Sequence, residues 1–236
     1  MTAEDYYHKK MKPEIKSFHD EMMEKLNTNE EMKKVYWGWK VWFSQIIDEP
    51  EILFIGINPR DEGGELTLDP DGELQYINDE NIKWPLNRDT RQVFKEVLEK
   101  ENLVDLANCI KTNYYYLATE SPKDIETIAD FLGRKNDKSA LGDRFFENSK
   151  KWTRQILEII KPKLIVCEGK SAFDLLIQHP LESKKIIREE DVYYYYNEIL
   201  KTNILYYKRL KGGGILNKDL LIEKLREVLW VNKIVL

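Results

Sequence analysis

Four short runs rich in apolar residues constrain this chain more than any other feature: Glu51 to Ile57, Leu103 to Ile110, Leu164-Ile165-Val166-Cys167 and Ile204-Leu205-Tyr206-Tyr207. Strands that lack a regular polar alternation bury both faces, as in a parallel sheet. Between these runs, apolar residues recur at helical spacing: Val93, Phe94, Val97 and Leu98, then Trp152, Ile156, Ile159 and Ile160. Leu220, Leu221, Leu225, Val228 and Leu229 repeat the pattern near the end of the chain. Strands separated by helices imply right-handed crossovers, so the expected fold is α/β, a three-layer α/β/α sandwich around a mostly parallel four-stranded central sheet. In such sheets ligands gather at the carboxyl ends of the strands.

The remaining elements fit around this frame. Ile15, Phe18, Met22 and Leu26 predict a helix, and the cluster Tyr36, Trp37, Trp39, Trp42 and Phe43 reads as further helical surface packed on the core. Residues 60 to 87 read as a long polar loop, with Asp89 capping the helix after it. A short helix is expected from Pro122, a longer one over 143–160 stopped by Pro162, one around Ala172 to Leu176, and a closing one over 217–230. Tyr193 to Tyr196 reads as a half-buried strand. At 236 residues the expected organisation is one α/β domain, 48–236, carrying an N-terminal helical elaboration, 1–47.

Composition narrows the function. No apolar run approaches the roughly 20 residues a bilayer span needs, so no membrane partner is expected. Acids at Glu4 and Asp5 stand where a secretory leader wants a basic start, which predicts a cytoplasmic location. Cys109 and Cys167 are too few for a thiolate cluster, and His8, His19 and His179 lack ligand spacing, so neither metal nor cofactor is expected. A net charge of -5 argues against coating nucleic acid through bulk charge. The charge is uneven: residues 61–80 hold eight acids and no base, whereas residues 201–218 hold Lys201, Lys208, Arg209, Lys211 and Lys218 and no acid. An anionic ligand should prefer the second region, and the acidic 61–80 stretch could meet a protein partner. A monomer is the expected state.

Three polar features fall where strands should end: Gly56-Ile57-Asn58-Pro59-Arg60, Asn108, and Lys208 to Gly214. Gly56-Ile57-Asn58-Pro59 resembles the first motif of the uracil-DNA glycosylase superfamily, closest to its mismatch-specific uracil/thymine branch. Leu106-Ala107-Asn108-Cys109-Ile110-Lys111-Thr112 is similar to the second strand of that superfamily, and Lys161 to Ala172 to its third strand and following turn. The likeness spans about residues 48 to 230. It implies a uracil-DNA glycosylase-like fold and a monofunctional, metal-independent DNA glycosylase acting on uracil or a related deaminated base, with single-stranded or mismatched DNA as partner. The family's usual His-Pro-Ser or Asn-Pro-Ser element is replaced here by Tyr207 to Gly214, and Arg60 stands where a small residue is common.

Under that resemblance Asn58 positions the water and Asn108 reads the edge of the extruded base, with Gly56, Ile57, Pro59 and Arg60 around them. Arg209 or Lys208, or the backbone of Gly212, Gly213 and Gly214, stabilises the departing base. The same residues with Lys211, Gly169, Lys170 and Ser171 can instead hold DNA phosphates. Tyr76 or Trp84 could stack on the base, with core packing the alternative for Trp84. A member that binds a base, nucleotide or nucleic acid without cleaving it is the competing reading. An unrelated nucleotide-binding domain lacks any phosphate-loop glycine pattern to support it.

Overall fold

The computed structural model of the chain describes residues 1–59, 64–134, 139–178, 181 and 190–234. Its strands are β1 (Gly38–Lys40), β2 (Ile52–Gly56), β3 (Leu66–Thr67), β4 (Cys109–Asn113), β5 (Leu117–Ala118), β6 (Leu164–Cys167), β7 (Val192–Asn197) and β8 (Thr202–Tyr207). Its α-helices are α1 (Ala3–Tyr6), α2 (Lys12–Leu26), α3 (Glu30–Val35), α4 (Pro85–Thr90), α5 (Pro122–Phe131), α6 (Leu141–Ile160), α7 (Lys170–Gln178) and α8 (Lys218–Ile234). Single π-helical stretches, Tyr7–Met11 and Arg91–Glu99, join α1 to α2 and prolong α4.

The main sheet has five strands in the order β4-β2-β6-β8-β7. The first four are parallel, as expected, and β7 adds an antiparallel edge paired along the tyrosine run, Tyr193 opposite Tyr206. The chain leaves β2 to build β4 on one side and then crosses to build β6 on the other. The carboxyl ends of β2 and β6 therefore flank a topological switch point, where open α/β sheets bind ligands.

Two apolar cores cover the sheet. Leu53, Ile55, Ile110, Ile165, Cys167, Ile204 and Tyr206 face a layer built from α2, α5, α6 and α7. Ile52, Phe54, Cys109, Leu164, Val166, Leu205 and Tyr207 face the Arg91–Glu99 stretch and α8. The two cysteines lie on opposite faces of the sheet, and both are free and buried. α6 is held by the close approach of its Gly142 to the Ala129 carbonyl of α5. It ends at Ile160, where Lys161 takes a left-handed conformation just before Pro162.

Several expectations need correction. The aromatic segment after Tyr36 is not helical: Trp39 lies on β1, the centre of a second, three-stranded sheet ordered β3-β1-β5. There its indole meets Phe18, Tyr116, Phe145 and Trp152 edge-on or tilted, so tertiary burial of large rings overrides the helical reading. The polar 60–87 segment holds β3 and the start of α4. Asp89 does not cap a helix; it sits within α4 and turns its carboxylate to the backbone N–H of Ile215, 2.9 Å away. His19 is buried on α2, where its ring shares a hydrogen bond with the Tyr36 hydroxyl. The second strand begins at Cys109 and ends at Asn113, later than its apolar run suggests, because Asp105 accepts the Ala107 N–H and folds Leu106–Asn108 into a 3-10 turn.

Candidate functional site

Side chains alternate across a strand, so the register fixes which residues share a layer. On the α8 side of the sheet, Phe54 is level with Lys111 and Val166, and Gly56 is level with Asn113. Glu168 and Tyr207 prolong the same face of β6 and β8. The last layer at the carboxyl edge is therefore Gly56, Asn113, Glu168 and Tyr207, a polar floor on an apolar face.

Lys111 rises toward this floor from the layer below. Its Nζ donates to the Tyr76 hydroxyl and to Glu168 Oε2 in short contacts, and it lies 4.7 Å from the centre of the Tyr76 ring. Only 4% of Lys111 and 3% of Glu168 are exposed. Burial pushes the Glu168 carboxyl up to about 8, while the Arg209 guanidinium pulls it back. Burial holds the Lys111 amine well below its ordinary range, and the Arg209 charge adds to that. Both desolvation effects disfavour charge, so the pair acts as one unit holding one exchangeable proton. The Tyr207 phenol is raised well above its ordinary range by burial first and by Glu168 second. Glu168 Oε1 is enclosed and closes no hydrogen bond with the described residues, and the enclosed hydroxyls of Tyr207 and Thr90 face each other.

Asn113 leans over Gly56. A methyl group built on Gly56 would overlap Asn113 Oδ1 and come to 3.2 Å from Glu168 Oε2, so a side chain at 56 and the amide cannot share this corner. The amide of Asn113 is buried and makes no hydrogen bond to the described residues. Beyond β2, the backbone N–H groups of Tyr114, Tyr115 and Thr119 donate to the carbonyls of Gly56, Ile57 and Pro59. This tether orients Asn58: its Nδ2 donates to the Thr119 carbonyl at 3.3 Å, to Thr119 Oγ1 at 3.1 Å and to the Pro59 carbonyl at 3.1 Å. Carbonyl acceptors on the nitrogen side settle the amide's orientation. Its Oδ1 receives no hydrogen bond from the described residues.

The turn after β8 forms the rim. Leu210 N–H donates to the Gly214 carbonyl, Gly213 N–H to the Leu210 carbonyl and Leu216 N–H to the Lys208 carbonyl, so the glycines form a tight turn instead of a loose loop. Arg209 lays its aliphatic stem over Gly169, and its Nε reaches the Gly213 carbonyl at 3.4 Å. Asp89 latches the turn from below: it accepts the Ile215 N–H and pairs with Lys218 at 2.7 Å.

Of the residues singled out in the sequence, Gly56, Ile57, Asn58, Pro59, Gly169, Lys170, Ser171, Lys208, Arg209, Lys211 and Gly212 to Gly214 lie at this carboxyl edge. Arg60 lies outside the described residues. Asn108 is at the wrong end: it precedes β4, is exposed, and donates its amide to Asp105. Tyr76 cannot stack on a ligand, because its ring packs edge-on against Phe54 and lies under Lys111 Nζ. Trp84 is not core but 57% exposed at the start of α4. Two of the cations are already engaged, Lys208 by Asp191 at 3.1 Å and Lys170 by Asp174 at 3.3 Å. Part of the acidic stretch is neutralised as well: Asp69 pairs with Lys12, Asp71 with Lys40 and Asp79 with Arg91.

The sequence reading passed over Lys111, Asn113 and Glu168, although a signal was there. A charged residue in or beside a strand buried on both faces needs a buried partner, and Lys111 and Glu168 are the opposite charges that two such strands carry. No protein-family model matches the chain, and no curated protein is significantly similar to it. The geometry is therefore the ground for any function. It offers an amide able to donate and accept, a second amide with a free carbonyl oxygen, a buried acid and a cationic rim.

Proposed function

We propose that the carboxyl edge of the sheet binds an extruded nucleobase and hydrolyses its N-glycosidic bond, the protein being a DNA glycosylase for uracil or a related deaminated base on a uracil-DNA glycosylase-like fold. The observation that carries this reading is Asn113: a buried amide without a hydrogen bond to the described residues, at a strand end beside the switch point, with Gly56 making room for it. Asn113 takes the base-reading role assigned above to Asn108, because it occupies the carboxyl end of β4, the strand that Asn108 precedes. Its Oδ1 accepts the imide N–H and its Nδ2 donates to a ring carbonyl.

Asn58, held by Thr119, presents Oδ1 to a water behind C1′. An oxocarbenium-like sugar demands little activation of its nucleophile, so fixing the water's position suffices. Arg209 and Lys211 at the rim hold phosphates and position the strand without reading sequence.

The test is abasic-site formation, read as alkali-labile breaks, in uracil-containing single-stranded, U·G and U·A oligonucleotides. Asn113→Ala and Asn58→Ala should each slow cleavage by about 100-fold or more, while Asn108→Ala should leave it unchanged. Wild-type protein that produces no breaks in any of the three substrates overturns the reading. Binding without breaks would instead support the reading of a base-binding protein without cleavage, which the lack of a histidine between Tyr207 and Gly214 favours.

A further inference from the structure

The proposed cleavage lacks one participant. The departing base carries negative charge as its bond to C1′ breaks, and the sequence from Tyr207 to Gly214 holds no histidine to meet it. Arg209 is exposed at the rim, with its guanidinium turned to the Gly213 carbonyl, and so suits a phosphate better than a charge developing below. The polar floor holds a better-placed group. Asn113 and Glu168 flank Gly56 from the strands on its two sides, and both reach into the space above it, so a base edge held by Asn113 lies beside the Glu168 carboxyl. Among the described residues only Oε2 of that carboxyl is engaged, by Lys111, and Oε1 has no hydrogen-bond partner. The enclosed hydroxyls of Tyr207 and Thr90, which face each other, close the same corner.

We infer that Glu168, backed by Lys111, is the acid that protonates the departing base, in place of the missing histidine. This rests on the glycosylase reading. The C1′–N bond breaks with its electron pair on the base, and the carboxyl proton passes to that base. The water on Asn58 adds to C1′ and releases one proton, which returns to the Glu168–Lys111 pair. Charge balance is kept, and no further reactant is needed. The groups facing Glu168 are Lys111 from β4, Tyr207 from β8 and Arg209 from the rim; Tyr76, from the segment after β3, reaches the pair through Lys111, and Asp89 of α4 acts on Tyr207. Burial keeps the carboxyl protonated up to about 8, so the acid is available at neutral pH.

The experiment compares single-turnover release of uracil and of 5-fluorouracil from otherwise identical single-stranded oligonucleotides between pH 6 and pH 10. 5-Fluorouracil leaves as the more stable anion and needs less help from an acid. For wild-type protein the uracil rate should fall about tenfold per pH unit above the pH at which the pair loses its proton, with a shallower fall for 5-fluorouracil. Glu168→Gln should slow uracil release by about 100-fold or more, remove the alkaline fall and slow 5-fluorouracil release far less. Its affinity for an uncleavable 2′-fluorinated deoxyuridine oligonucleotide should stay within about twofold.

A variant that slows both bases equally and keeps the alkaline fall overturns the assignment, because a structural role affects both alike. If the variant does not fold, the wild-type comparison decides alone: identical pH profiles for the two bases overturn it. Wild-type protein that releases neither base removes the glycosylase reading itself, an outcome distinct from a glycosylase indifferent to Glu168.

Discussion

The space above Gly56 is where the chemistry of single residues is most exposed to test. A methyl group there meets Asn113 Oδ1 at once, so Gly56→Ala must push the amide out of the polar floor. Overpacking of this kind costs about 1–3 kcal/mol. The expected outcome is a lower melting temperature together with a loss of base binding larger than the loss of stability accounts for. Glu168 makes a second prediction, about pH. Its carboxyl is neutral in the folded protein up to about 8 but ionises near 4.5 when exposed. A raised pKa favours the fold below the unfolded value, and that contribution is lost as pH rises through the folded one. The depressed Lys111 amine works in the opposite sense: the unfolded chain also holds one proton in this range, on Lys111, so the two contributions offset each other. Urea denaturation should therefore find little dependence of stability on pH from this pair between pH 5 and pH 7, whereas Lys111→Met, which leaves the raised carboxyl alone, should make stability fall as pH rises through that range. An equal fall in the wild-type protein would mean that Lys111 keeps its charge beside a neutral Glu168. Both residues stand in short motifs that are easy to quote from the sequence. What the sequence withholds is that they meet, since β2, β4 and β6 are adjacent only in the sheet.

Among elements, the turn after β8 depends most on a contact made far along the chain. Lys208 to Gly214 reads as a flexible basic loop, yet Asp89, buried on α4, accepts the Ile215 N–H and pairs with Lys218 at the start of α8. Asp89→Ala leaves that buried N–H without an acceptor and should cost about 1–3 kcal/mol. Amide hydrogen exchange should rise first across residues 208–216, and oligonucleotide binding should weaken with it. Exchange that rises evenly over the whole sheet would contradict a local latch. The second strand teaches the converse. Its apolar run begins at Leu103, but local hydrogen bonding at Asp105 makes a turn and starts the strand at Cys109. That shift sends Asn108 to the amino end of the sheet and brings Asn113 to the carboxyl end, so a boundary error of a few residues exchanged one asparagine for another.

For the whole molecule, charge and topology decide what can approach. The net charge is -5, but Lys12, Lys40 and Arg91 each neutralise an acid of the 61–80 stretch, while Arg209 and Lys211 project from the rim. With the two phosphate contacts proposed for Arg209 and Lys211, single-stranded oligonucleotide binding should weaken with salt at a log–log slope of roughly -1.4. Arg209→Ala should make the slope shallower by about 0.7, and a slope near zero would exclude phosphate contacts at the rim. The apolar runs and helical periodicities by themselves determined the α/β class, the four parallel strands and the helices between them, because burial of apolar surface is written into local patterns. The antiparallel pairing of the tyrosine strand at the sheet edge, the small second sheet, and the meeting of Asn113, Glu168 and Lys111 were decided only by the tertiary structure. Strand register and the enclosure of polar groups arise between segments distant in sequence, and no local pattern encodes which distant residue will be the neighbour.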